Sequence, residues 1–138
     1  MIIIDTNVVS ELARKSQHPR FVLWFDRHVG RDLFLTATIV GELVRGVAVL
    51  PAGRRKTELT ASVMEVILED FAQFVLPFDR LAAYEWGELI AREQLRGRVL
   101  SFADSHIAAV CLAQGASLAT RNTKDFEGLG IDLIDPWE

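Results

Sequence analysis

Cysteine is nearly missing from this chain, with one residue, Cys111, among 138. That excludes an internal disulfide framework and a cysteine-built metal site. Cys111 itself reads as a small buried hydrophobe rather than a reactive thiol. Histidine is scarce as well, with three copies. Neither His18 nor His28 has another His or a Cys at ligand spacing, so both read as surface or helix-end residues. Basic charge is not in excess: a formal net charge of −4 argues against a broad basic surface that wraps nucleic acid. It leaves a nucleic-acid enzyme open, because carboxylates around a cation lower the total while local arginines hold phosphates. Long apolar runs are also absent. Ile2-Ile3-Ile4 is far too short for a signal segment or a membrane span, which makes the cytoplasm the expected location. No repeat, linker or low-complexity stretch interrupts the chain. What remains is globular composition, 50% hydrophobic and 25% charged, in a length suited to one domain over residues 1–138.

Three β-branched residues in a row, Ile2 to Ile4, read as a strand buried on both faces, the kind found in parallel sheets covered by helices. The run ends abruptly in Asp5, Thr6 and Asn7, and a helical pattern follows. In an open α/β sheet the carboxyl ends of the strands face the ligand crevice, so Asp5 is a candidate site residue from position alone. Val8, Val9 and Leu12 then mark a short helix, broken between Lys15 and Pro19. Phe21, Trp24, Phe25, His28 and Val29 mark a second helix ending near Gly30.

Leu33-Phe34-Leu35 forms the next strand, and Thr36 or Thr38 caps a helix whose apolar face carries Ile39, Leu43, Val44, Val47 and Leu50. Glu42 lies at the margin of that stripe, where a solvated glutamate and a site role are equally open. Arg54-Arg55-Lys56 opens an amphipathic helix through Leu59, Val63, Ile67 and Phe71. Phe74-Val75-Leu76 is a third strand, after which Asp79 caps a helix carrying Ala82, Trp86, Leu89 and Ile90. The aromatic residues here sit in apolar context and lack the interleaved exposed basic residues of a base-stacking platform. Arg92, Arg96 and Arg98 surround the helix exit at Gly97. Ser101 caps the following helix, where Asp104 shares a face with Ile107, Ala108 and Cys111. An acid aligned with an apolar stripe carries a desolvation cost unless a cation or hydrogen bonds compensate, although the helix dipole also favours it in the first turn. Ser117-Leu118-Ala119 is a fourth strand, Thr120 to Asp125 a polar loop closed by Phe126, and Ile131 to Ile134 an edge strand. The expected architecture is a single three-layer α/β/α domain with a mostly parallel central sheet.

Acids therefore fall where strands end or helices begin: Asp5, Glu42, Asp104 and the Asn122/Asp125 loop. Side by side they raise one another's pKa values, a penalty that a divalent cation removes. Mg²⁺, or Mn²⁺ in its place, suits oxygen ligands and can bridge to a phosphate. Thr6, Asn7, Thr120 and Asn122 offer hydroxyl and amide groups to orient phosphate or metal-bound water. Composition and spacing go no further than a speculative nuclease.

Four stretches carry a resemblance. IIIDTNVVSEL with Asp5, FLTATIVGELVRGV with Glu42, SFADSHIAAVCLAQG with Asp104 and LATRNTKDF with Thr120, Asn122 and Asp125 together resemble a PIN-domain ribonuclease of the VapC type, in its FitB-like branch. The tail DLIDPW resembles that branch too. The likeness covers essentially the whole length. It implies a Mg²⁺-dependent endoribonuclease, the toxin of a toxin–antitoxin pair, with RNA as substrate and three acids of its metal site at Asp5, Glu42 and Asp104. FitB-like relatives carry a fourth acid two residues beyond Thr120, where this chain has Asn122. Other members carry it in an N-x-x-D-F pattern, which gives Asp125, and Asp125 is the stronger candidate for the charge. The resemblance also implies a small antitoxin protein as partner, promoter DNA bound only through the antitoxin complex, a homodimer and no membrane association. Arg54, Arg55, Lys56, Arg92, Arg96, Arg98, Arg121 and Lys124 become candidates for steering RNA by charge.

Two other classes compete. An aspartyl-phosphate phosphatase or receiver also places an acid after a hydrophobic first strand, but its remaining acids and lysine are not jointly present. A degenerate domain that binds RNA or protein without cutting would bind Mg²⁺ and leave a broad RNA panel intact.

Overall fold

The computed structural model describes residues 1–138. Its centre is β1 (Ile2–Ile4), where Ile3 and Ile4 are fully buried. The five strands are ordered β3-β2-β1-β4-β5, with β2 at Leu33–Thr36, β3 at Val75–Leu76, β4 at Ser117–Ala119 and β5 at Leu133–Ile134. All four pairings are parallel. The expectation of a mostly parallel sheet is thus met without an antiparallel edge. Helices cover the sheet because parallel neighbours need crossovers. They are α1 (Thr6–Leu12), α2 (Pro19–His28), α3 (Ala37–Ala48), α4 (Arg54–Glu65), α5 (Arg80–Leu95) and α6 (Phe102–Gln114). One cluster of 26 buried residues joins sheet and helices.

Local chemistry sets the helix starts. The Thr36 hydroxyl, rather than that of Thr38, accepts from the Ile39 amide at 3.1 Å and caps α3. Asp79 accepts from the Ala82 amide at 3.0 Å and Ser101 from the Asp104 amide at 3.1 Å, capping α5 and α6. His18 caps α2 through Nδ1, and His28 ends it in a 3.0 Å pair with Asp32. Both histidines are helix-end residues. The helix that begins at Arg54 loosens into a π-turn over Val66–Asp70, which keeps Val66, Ile67 and Phe71 buried.

Two expectations change. Val44 does not belong to the buried face of α3: it is 41% exposed, while Ile39 and Leu43 are buried. The loop after β4 is not irregular throughout, because Thr123–Phe126 closes a 3₁₀ turn anchored by buried Phe126.

A carboxylate cluster at the end of the central strands

Parallel register brings the ends of β1 and β4 to one level, with Ile4 opposite Ala119. The following residues, Asp5 and Thr120, therefore meet. The chain leaves β1 toward β2 on one side and returns as β4 on the other, so the pair sits at a topological switch point of the sheet. Asp5 is 6% exposed. Its Oδ1 accepts from the Thr6 amide at 2.8 Å, capping α1. Its Oδ2 accepts from the Thr120 hydroxyl at 2.8 Å. Asn7 Nδ2 donates to Thr120 Oγ1 at 3.2 Å and more weakly to Asp5 Oδ2 at 3.5 Å. Asn7 Oδ1 accepts from the Arg121 amide at 3.2 Å, and the Asn122 amide donates to Thr120 Oγ1 at 3.0 Å. Hydroxyl and amide groups thus fix the Asp5 carboxylate in one orientation.

Two further acids approach from α3 and α6. Burial pushes the Glu42 carboxyl above its ordinary range, and the charges of Asp5 and Asp104 push it further while Arg45 opposes them. Asp104 is raised chiefly by burial; a hydrogen bond with Ser101 works against this, and Asp5 and Asp125 add repulsion. Asp104 thus lies within electrostatic reach of Asp5, Glu42 and Asp125, and Glu42 within reach of Asp5. Asp125 contributes its side-chain charge from the 3₁₀ turn, whereas Asn122 contributes a backbone amide.

No three Asp, Glu, His or Cys side chains converge closely enough to ligate one ion directly. The donors around the cluster are nevertheless all oxygen, the choice of a hard cation. Mg²⁺ commonly keeps several waters and is held through one or two carboxylates, so a gathered but uncollapsed set fits it. Repulsion raised by like charges is the term that such a cation cancels.

Two clefts flank α1. One, of about 590 Å³, runs between α1, α3 and α4 and includes Glu42 with Leu43, Leu59 and Val63 along its apolar wall and Arg14, Arg45 and Arg55 at its rim. The other, of about 470 Å³, is mostly polar and lies beside Asn7 and Asn122. Its wall includes Trp137, over which the Arg121 guanidinium stacks at 4.5 Å.

The basic residues divide among separate places. Arg54 pairs with Glu58 and Lys56 with the Ala48 carbonyl. Arg92, Arg96 and Arg98 surround Glu93, one carboxylate among three guanidiniums, of which Arg92 and Arg96 stay about half exposed. Sequence reasoning missed Glu93 and Glu11, both buried. A signal for Glu93 was present: it stands one helical turn from buried Leu89, with three arginines within five residues. Arg14 and Arg45, next to the cluster, were also missed and carry no distinguishing pattern.

The PIN domain pattern matches residues 2–131. The chain belongs to the PIN-domain family. It is 40% identical over 138 residues to the VapC ribonuclease Y4jK of Sinorhizobium fredii, spanning 100% of this chain and 99% of that protein. It is 35% identical over 137 residues to the toxin FitB of Neisseria gonorrhoeae, spanning 99% of each. The structure of FitAB bound to an IR36 DNA fragment superimposes on this PIN domain with a TM-score of 0.89 at 34% identity, covering 100% of this chain and 96% of that one. This PIN domain is therefore of the VapC type, in its FitB-like branch.

Proposed function

We propose that this PIN domain is a Mg²⁺-dependent endoribonuclease and the toxin of a toxin–antitoxin pair. The observation that carries the reading is the gathering of Asp5, Glu42, Asp104 and Asp125 at the carboxyl end of β1 and β4, where each of the two raised acids feels its neighbours. Its support from relatives lies in their names, a VapC ribonuclease and the toxin FitB.

Asp5, Glu42 and Asp104 would hold the cation largely through its water shell, with Asp125 adding charge from the 3₁₀ turn. The chemistry such a cation would supply is polarisation of the phosphoryl group, activation of water and compensation of the negative charge of phosphodiester cleavage. Thr120 and Thr6 aim the Asp5 carboxylate by donating to both of its oxygens. Asn7 and Asn122 complete that scaffold and face the polar cleft through which an RNA backbone passes. Arg121 and Arg14 line the same cleft and supply sequence-independent attraction to phosphates.

The partner is a small antitoxin protein, and promoter DNA is bound through the complex, as the FitAB–DNA structure describes for its own components. The 590 Å³ cleft, apolar along its wall and ending at Glu42, suits an inserted antitoxin segment. Exposed Leu81, Tyr84, Leu95, Val99 and Phe102 give α5 and the α5–α6 turn an apolar surface for a homodimer. No helix is long and apolar enough to cross a membrane.

The test is cleavage-site mapping on total RNA with wild type and Asp5→Asn or Asp104→Asn protein, in Mg²⁺ and in chelator. Cleavage confined to wild type with Mg²⁺, with the variants remaining folded by circular dichroism, is the expected outcome. Full cleavage by purified, nuclease-free variants would sink the reading.

A further inference from the structure

Glu93 is the acid that the proposed chemistry leaves unused. It lies on the inner side of α5 and is 1% exposed. An ionised carboxylate persists in such a place only when paired. Arg96 Nη1 donates to its Oε1 at 3.2 Å, and Arg92 Nε stands 3.8 Å from the same oxygen. Oε2 accepts no hydrogen bond, and Arg98 Nη1 lies 3.9 Å from it.

Arg98 alone among the three hydrogen-bonds to the turn, while Arg96 only comes near Gly128 beyond it. Its Nη2 donates to the Asp125 carbonyl at 2.8 Å and its Nη1 to the Glu127 carbonyl. Its own amide donates to the Glu93 carbonyl at 2.9 Å. Those two carbonyls bracket Phe126, whose buried ring fixes the far side of the 3₁₀ turn. A planar guanidinium presents its donors in a fixed fork, so holding both carbonyls sets the orientation of the turn as well as its distance. The Asp125 side chain emerges from that turn toward Asp104, which feels its charge.

We infer that Glu93 and Arg98 are positioning residues: the buried carboxylate anchors the guanidinium, and the guanidinium holds the Asp125 turn against the acid cluster. The inference rests on the reading of that cluster as a cation site. A purely structural staple would lower stability without selective action through Asp125, and this difference is measurable.

The experiment uses the full chain with Mn²⁺ as the probe, its affinity read by electron paramagnetic resonance or calorimetry, with thermal melts in parallel. Arg98→Ala and Glu93→Gln weaken Mn²⁺ binding on the order of tenfold to a hundredfold, the usual effect of losing a group that orients a ligand. Arg92→Ala removes a charge beside Glu93 but touches no atom of the turn, and leaves affinity within about twofold of wild type. In a double-mutant cycle with Asp125→Asn the losses do not add, because each removes the same carboxylate from the site. Where Arg98→Ala fails to fold, Arg98→Lys and Glu93→Gln are placed in the same cycle with the same expectation.

Unchanged Mn²⁺ affinity in the folded Arg98 and Glu93 variants overturns the inference, as do losses that add in full to that of Asp125→Asn. The underlying reading fails differently: wild type then binds no Mn²⁺, or Asp5→Asn leaves binding and cleavage intact.

Discussion

Thr120 donates its hydroxyl to Oδ2 of Asp5 across 115 residues of sequence, at 2.8 Å and in full burial. A hydrogen bond to an ionised group contributes about 1.5–3 kcal/mol. Thr120→Val keeps the shape and removes the donor, leaving Asp5 Oδ2 with the 3.5 Å contact from Asn7 alone. A loss of about that size in denaturant-derived stability is expected, while Thr120→Ser stays close to wild type. A loss in Thr120→Ser with none in Thr120→Val would locate the effect in the methyl group instead.

The raised Glu42 and Asp104 carboxyls make stability depend on pH with a definite sign. Between the ordinary values, 4.5 for Glu42 and 3.8 for Asp104, and their raised values, the folded protein binds more protons than the unfolded chain. Without a divalent cation, stability therefore falls as pH rises through that window. Asp104→Asn removes one repelling charge and raises cation-free stability near neutral pH by no more than about 1 kcal/mol, since solvent screens a half-buried site. Mg²⁺ reverses the slope by binding the ionised form, and at a hundredfold excess over its Kd it stabilises by about 2.7 kcal/mol. Thermal melts across pH, with and without Mg²⁺, measure both effects.

Cys111 is 1% exposed, and burial pushes its thiol up to about 12. The thiolate is the reactive form, so a disulfide reagent at pH 8 should label the unfolded chain at once and the native protein only through opening of the fold. Fast labelling of the native protein would contradict this packing.

Glu11 is 4% exposed and accepts from the His18 amide at 2.9 Å, with Arg14 at 3.5 Å from its other oxygen. It ties the end of α1 to the start of α2. Glu11→Ala leaves that amide without its partner and should cost about 1–3 kcal/mol in chemical denaturation, with Glu11→Gln retaining most of the stability.

What was legible from the sequence follows the range of the interactions concerned. The β-branched run of β1, the caps at Asp79 and Ser101 and the break at Pro19 depend on neighbours a few residues away, and their elements were located to within a residue or two. Asp5 was legible because a strand end faces a crevice whatever its partners. Glu42 was ambiguous, since the side of a stripe margin that meets solvent depends on where α6 and β1 come to lie. The standing of Asp125 against Asn122 was beyond pattern alone. It depends on a turn held by Arg98, whose orientation depends on Glu93 in a helix some thirty residues earlier. The buried acid that gathers Arg92, Arg96 and Arg98 was equally out of reach of pattern, because sequence shows charge without showing what it packs against.

Ile2 pairs with Leu33 on one side and with Ser117 on the other. β1 therefore waits for synthesis to reach Ser117 before its second neighbour exists. At about 5–20 residues per second, synthesis of the intervening stretch takes roughly 6–20 s. During that time Asp5 has neither Thr120 nor the Asp125 turn beside it. Asp5 is thus made well before the residues that orient it, and a polypeptide ended ahead of β4 carries its first acid without an assembled centre.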